Sequence, residues 1–219
     1  MNLDFSIIKP YFNIFLLGAF VTVKITALAV LMGIVIGLFV GMGKLSRFWF
    51  IRMLCSTYVE VIRGTPLLVQ IFIFYFGLPQ ILGVNIPEYP AAVMALGINS
   101  GGYVAEIIRG GILAVEKGQM EAARSLGMSH SQAMRYIILP QAFKKMIPPL
   151  GNEFVTLLKN SSLATTIGFS ELTRAGQIVA ANTYKPFEPY ITVAAFYLVM
   201  TIGFSRLLGI LERRLAVSD

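Results

Sequence analysis

Five stretches of the chain, at about residues 11–43, 53–78, 89–108, 146–169 and 190–211, are apolar over lengths that match a bilayer. A membrane span needs roughly 20 mostly apolar residues. Lipid offers no hydrogen-bonding partner to backbone groups, so such segments are expected as helices whose bonds close within themselves. The expectation is an all-α polytopic membrane protein with five transmembrane helices. Lys24 alone interrupts the first stretch, and the fourth is the least apolar. Glycines at 33, 37, 41 and 43 give the first a small-residue face for close helix packing.

Composition agrees. Hydrophobic residues make up 56% of the chain and charged ones 13%, about half the share usual in soluble domains. The net charge of +7 reads as a determinant of orientation rather than a nucleic-acid footprint. Lys44, Arg47 and Arg52 join the first two spans. Arg109, Lys117, Arg124, Arg135, Lys144 and Lys145 lie between the third and fourth, and Arg206, Arg213 and Arg214 close the chain. The opposite side holds only Lys9, Arg174 and Lys185. The positive-inside tendency therefore puts the amino end outside and the carboxyl end in the cytoplasm. Cys55 is alone, which excludes an internal disulfide and CxxC chemistry. His130 is the sole histidine, and no metal centre is expected. Residues 1–10 include Asp4 and Lys9 and lack the apolar core of a cleavable signal.

The segment from about 110 to 145 is too polar to span. The stretch "VEKGQMEAARSLG" favours helix, Gly127 breaks it, Ser129 can cap the next helix, and "SHSQAMRYIIL" resumes until Pro140. On this cytoplasmic projection Glu121, Ala122 and Ala123, then Gly127, Ile137, Leu139 and Pro140, fit the pattern EAA-x3-G-x9-I-x-L-P. The pattern resembles the cytoplasmic loop of permease subunits of bacterial ABC importers. "EVIRGTPLLVQ" (60–70), "INSGGYVAEIIRGG" (98–111), "IPPLGNEF" (147–154) and "ELTRAGQ" (171–177) resemble the polar amino-acid subfamily.

The resemblance implies the type I importer fold in the bacterial inner membrane, a single permease domain over 1–219, and residues 110–145 as the loop that couples to a separate ATPase. It also implies partners: a dimeric ABC ATPase, a second permease copy or paralogue, an extracytoplasmic solute-binding protein and an amino-acid substrate. In that family the loop inserts into a cleft on the ATPase. The chain lacks a G-x-x-x-x-G-K-[ST] loop. No cofactor is therefore expected in this chain, and ATP and Mg belong to the partner.

Ionisable groups within spans are costly and usually face a cavity or a partner. Here they are Lys24, Glu60, Arg63, Glu106, Glu153 and Lys159. Glu153, Thr156 and Asn160 recur at helical spacing with Asn152 adjacent, and so do Asn99, Tyr103 and Glu106. Glu153, Glu60, Asn99, Tyr103, Asn152 and Thr156 are the candidate substrate contacts, with carboxylates for an ammonium or guanidinium group. Against this, Glu60 can pair with Arg63 or with backbone freed near Gly64 and Pro66. Glu106 lies one turn from Arg109, and Lys159 or Lys24 can reach Glu153. The carboxylates point to arginine, lysine or histidine as substrate, with glutamine or another polar amino acid as the alternative. An ion-driven secondary transporter shares the membrane charges but gives no reason for the 121–140 pattern. A structural adaptor would use the same loop without transport.

Overall fold

In the computed structural model every regular element among the described residues is helical. Residues 3–216 are described, with side chains through 213, so the side chain of Arg214 lies outside the described residues. A short turn, Phe5–Tyr11, is capped by Asp4, whose carboxylate accepts from the Ser6 amide at 3.1 Å. Hydrogen bonds from Ser6 and then Lys185 hold that carboxyl below its ordinary value.

α1 (Phe12–Lys44) has 33 residues, about 50 Å at 1.5 Å per residue, more than a hydrocarbon core is thick. Phe15, Gly18, Thr22, Ile25, Ala29, Gly33, Gly37 and Gly41 are buried at three- and four-residue spacing. Leu17, Phe20, Leu31, Val35 and Phe39 cover the other side and are exposed. A helix that is apolar on its outer face as well as its inner one meets lipid there, not water.

The expected straight second span over 53–78 is corrected. α2 (Trp49–Gly64) stops, and the chain bends by 104° before α3 (Leu67–Phe72). Steric conflict with the proline ring drives the preceding residue into extended backbone. Thr65 accordingly sits at φ −116°, ψ 144° ahead of Pro66. The break frees carbonyls, and Gln70 takes them up: its Nε2 donates to the Ile62 and Thr65 carbonyls at 2.8 and 3.2 Å. Its Oε1 accepts from Asn99 Nδ2 at 3.0 Å, which pins the corner to a neighbouring helix.

Two further prolines are handled differently. π turns at Ile73–Gly77 and Met134–Ile138 each end on a leucine whose N–H reaches five residues back, Leu78 to Ile73 and Leu139 to Met134. A proline follows at once, Pro79 or Pro140. Proline has no N–H for the carbonyl four residues back, and its ring crowds that carbonyl. The wider turn carries the helix past the conflict. The first π turn leads into α4 (Leu78–Leu82).

α5 (Glu88–Leu113) lies against α1. A Cβ at Gly33 would meet Ser100 at 2.7 Å, one at Gly37 would meet Val104 at 2.5 Å, and one at Gly41 would meet the Ala105 carbonyl at 2.9 Å. The two sets of positions advance together, so α1 and α5 run parallel with backbones nearly touching. Gly43 instead faces Cys55 on α2. Glu106 on α5 pairs with Lys44 at the end of α1 and with Arg109 at 2.9 Å.

α6 (Lys117–Ser125) and α7 (His130–Ala133) follow. The expected stop at Pro140 is corrected, because the π turn passes the chain without interruption into α8 (Leu139–Asn160). A 3-10 turn, Ser161–Ile167, leads to α9 (Leu172–Thr183). Buried Glu171 caps α9, accepting from the Thr173 and Arg174 amides at 2.9 Å and from the Tyr197 hydroxyl at 2.9 Å. α10 (Phe187–Ala216) closes the chain.

Gly111 packs on Met146, and Gly151 on Leu208. α8 therefore runs back along α5, and α10 runs back along α8. Three helical stretches are long and apolar enough to cross a membrane: Phe5–Lys44, Glu88–Leu113 and Phe187–Arg213. The bent pair Trp49–Gly64 and Leu67–Leu82 makes a fourth. The remaining expected span falls on α8, which carries Lys144, Lys145, Asn152, Glu153, Lys159 and Asn160 and is not among those stretches.

Candidate functional site

Two regions gather the chemistry. The first lies where the broken end of α2, α5 and α8 come together, with Glu153 and Ser100 buried and Arg63 and Tyr103 exposed. The bend after Gly64 leaves Arg63 in the last turn of α2, with its guanidinium 5.1 Å from the centre of the Tyr103 ring on α5. That spacing suits a cation on an aromatic face. From α8, Glu153 enters the same region, 9% exposed, and the positive charge of Arg63 reaches its carboxylate. The buried Ser100 hydroxyl lies beside Glu153. A buried acid, a base, an aromatic face and a hydroxyl thus converge from three helices.

The other predicted contacts distribute around this cluster. Asn99 is buried, and its amide is committed to Gln70. Asn152 and Thr156 share an exposed face of α8 beside Glu153. Glu60 stands exposed on α2, one turn before Arg63, and forms no ion pair with it. Arg63 turns onto Tyr103 instead. Lys24 lies 5.8 Å from the centre of the Tyr89 ring rather than on Glu153. The sequence reading notes Arg63 as a charge within a span and a partner for Glu60 but not as a candidate contact, and Ser100 and Gln70 only as parts of quoted motifs. A polar residue four positions after Pro66 was the available signal for Gln70. Arg63 is placed by the bend, which the hydropathy pattern does not report.

The second region is the polar block. α6 ends in a Schellman turn: the Met128 amide bonds to the Ala123 carbonyl at 3.1 Å, and that of Gly127 to Arg124 at 3.1 Å. Gly127 sits at φ +86°, a left-handed conformation that glycine adopts without steric cost. Ser129 then makes a reciprocal capping box with Gln132. Ala123 is buried, and Ile137 is half-buried in a core that includes Val115, Ile138 and Met146. Glu121, Ala122, Leu139 and Pro140 face outward. Leu126, beside the glycine at the tip, is 84% exposed. Large apolar side chains on an otherwise polar projection mark a surface that meets another protein.

A bundle whose outer face is apolar, with Glu153 buried between its helices and a polar projection at one end, is that of a polytopic membrane protein. The chain belongs to the family described as binding-protein-dependent transport system inner membrane component, which matches residues 33–217. It is 41% identical to the glutamine transport system permease protein GlnP of Escherichia coli (strain K12), over 99% of this chain and 100% of the relative. It is also 41% identical to the arginine transport system permease protein ArtQ of Bacillus subtilis (strain 168), over the full length of both. A solved amino acid ABC transporter with histidines superposes with a TM-score of 0.94 at 53% identity, over 98% of this chain and 100% of that one. The inward-facing MetNI methionine ABC transporter shares the fold, with a TM-score of 0.78 at 21% identity over 94% and 98% of the two chains.

Proposed function

We propose that the chain is the translocating subunit of an ATP-driven importer of polar amino acids. The observation that carries this reading is that three helices bring the buried Glu153, beside Ser100, into the field of Arg63, which lies on the Tyr103 ring. An amino acid is a zwitterion. A carboxylate and a guanidinium held apart by the protein match its ammonium and its carboxylate, and bonds to charged partners are the strong ones. Relatives named for glutamine and arginine support the same class. The block around Glu121, Ala122, Ala123 and Gly127 engages a separate ATPase. Two permease copies, or this chain and a paralogue, enclose the pathway, and an exported binding protein delivers substrate. The basic residues support five crossings with the amino end outside.

For the side chain of the substrate, the first reading is cationic. Glu60 has an unpaired carboxylate one turn from Arg63 that suits a guanidinium or ammonium group. Glutamine is the second reading, favoured because Glu153 and Arg63 already balance one another. The test is uptake into proteoliposomes holding the assembled importer, with arginine and glutamine as competing labelled substrates. Loss of a charge-assisted bond in Glu153→Gln should raise KM for either substrate about 10- to 100-fold. Glu60→Gln should weaken arginine alone. Uptake that follows an ion gradient instead of ATP would reject the importer reading.

A further inference from the structure

One exposed residue holds a backbone conformation that its side chain disfavours. Tyr184, between α9 and α10, sits at φ 55°, ψ 21° and is the sole non-glycine with positive φ among the described residues. The left-handed region crowds a Cβ, and glycine or asparagine usually occupies this position after a helix. Strain of this kind persists where surrounding structure enforces it, and it concentrates at functional positions. Here the enforcement is visible. The Thr183 hydroxyl donates to the Val179 carbonyl at 2.7 Å and accepts from the Lys185 amide at 3.4 Å. Lys185 bonds to Asp4 at 3.1 Å, and the Asp4 amide donates to Glu188 at 3.0 Å. The turn is thereby tied to the cap of the Phe5–Tyr11 turn that precedes α1 and to the start of α10.

The ring so held is 92% exposed, the most exposed of the large apolar side chains. It stands at the starts of α1 and α10, the end of the bundle away from the α6–α7 block, and the basic residues leave that end as the outer one. A tyrosine presented on a fixed turn loses little freedom on binding, and tyrosine is enriched among residues that dominate interfaces.

We propose that Tyr184 is the anchor by which the exported solute-binding protein docks on this subunit, its ring entering an apolar depression on that protein. The family description names dependence on such a partner. The proposal rests on the importer reading above. Tyr184→Asn keeps a residue that tolerates the left-handed turn and removes the ring.

The experiment measures ATP hydrolysis by the complete importer in nanodiscs while its purified solute-binding protein is titrated, loaded with arginine and then with glutamine. Thermal unfolding is followed in parallel. Tyr184→Asn should raise the half-saturating concentration of binding protein at least tenfold, leave hydrolysis at saturation unchanged, and unfold no earlier than the parent. Tyr184→Phe should lie between them. An unchanged half-saturating concentration overturns the proposal. So does a proportional loss of basal and maximal hydrolysis at constant half-saturation, the result of a ring that serves only as a lipid anchor. A parent complex that no amount of binding protein stimulates rejects the importer reading itself.

Discussion

Replacing Gln70 with leucine should loosen both the fold and the cluster around Arg63 and Glu153. Leucine fills similar space but removes the donor shared among the Ile62 carbonyl (2.8 Å), the Thr65 carbonyl (3.2 Å) and the Thr65 hydroxyl (2.9 Å). It also removes the acceptor for Asn99 Nδ2 at 3.0 Å. Thr65 is exposed, so its groups can find other partners. Asn99 is buried, and its amide is left unpaired. An orphaned buried polar group costs about 1–3 kcal/mol. Adding the less accessible Ile62 carbonyl gives a total of about 2–4 kcal/mol. The decisive variant is Gln70→Leu with Asn99→Leu, which removes both partners and should recover at least about 1 kcal/mol relative to the single change. Unfolding in mixed detergent micelles reads the energies, and uptake reads the consequence for Arg63, whose position depends on the corner. Strictly additive losses, or a Gln70→Leu protein with the parent's stability and KM, would refute the claim that this amide holds the bend.

Gly37→Ala drives a Cβ to 2.5 Å from Val104 and 2.9 Å from the Ala105 amide. It should cost about 1–3 kcal/mol in the same unfolding assay, whereas Gly203→Ala, with open space around it, should be neutral or stabilising. Gly127→Pro fixes φ near −65° where +86° is required, and Glu121→Lys inverts an exposed charge. Both proteins should insert normally yet lose substrate-stimulated uptake, and normal uptake by either would remove the block from energy coupling. The lowered pKa of Asp4 means that its contribution is complete above the ordinary aspartate value and fades as pH falls through the lower folded one. The amide shift of Ser6 should therefore begin to move only at a lower pH in the folded protein than in a peptide spanning residues 1–10.

Periodicity and composition revealed the parts of the molecule that rest on local chemistry. The glycine face at 33, 37 and 41 was legible because only a missing Cβ permits backbone contact. The stop at Gly127 and the start at Ser129 follow rules of helix termini that operate within a few residues. Prolines misled in two directions. Pro66, inside an apolar run, reads as span yet turns the chain sharply, while Pro140 reads as an end yet is bypassed by a wider turn. Hydropathy does not register either event, because both concern where a single N–H goes. Glu153 stood out as a charge in lipid, but its partner depended on the corner at Thr65, so the sequence suggested Lys24 or Lys159 and the fold supplied Arg63.

The bypass at Pro140 bears on how force would travel. From His130 to Glu153 the helix never stops, a distance of about 35 Å. A rod of that length, tilted by about 10°, sweeps its far tip through about 6 Å. No non-helical segment separates the two, and Pro148 and Pro149 are the place in the interior of α8 where the rod lacks backbone bonds and can flex. Whatever grips the projection then also steers the carboxylate, and substrate release would be timed by the same stroke that moves the tip.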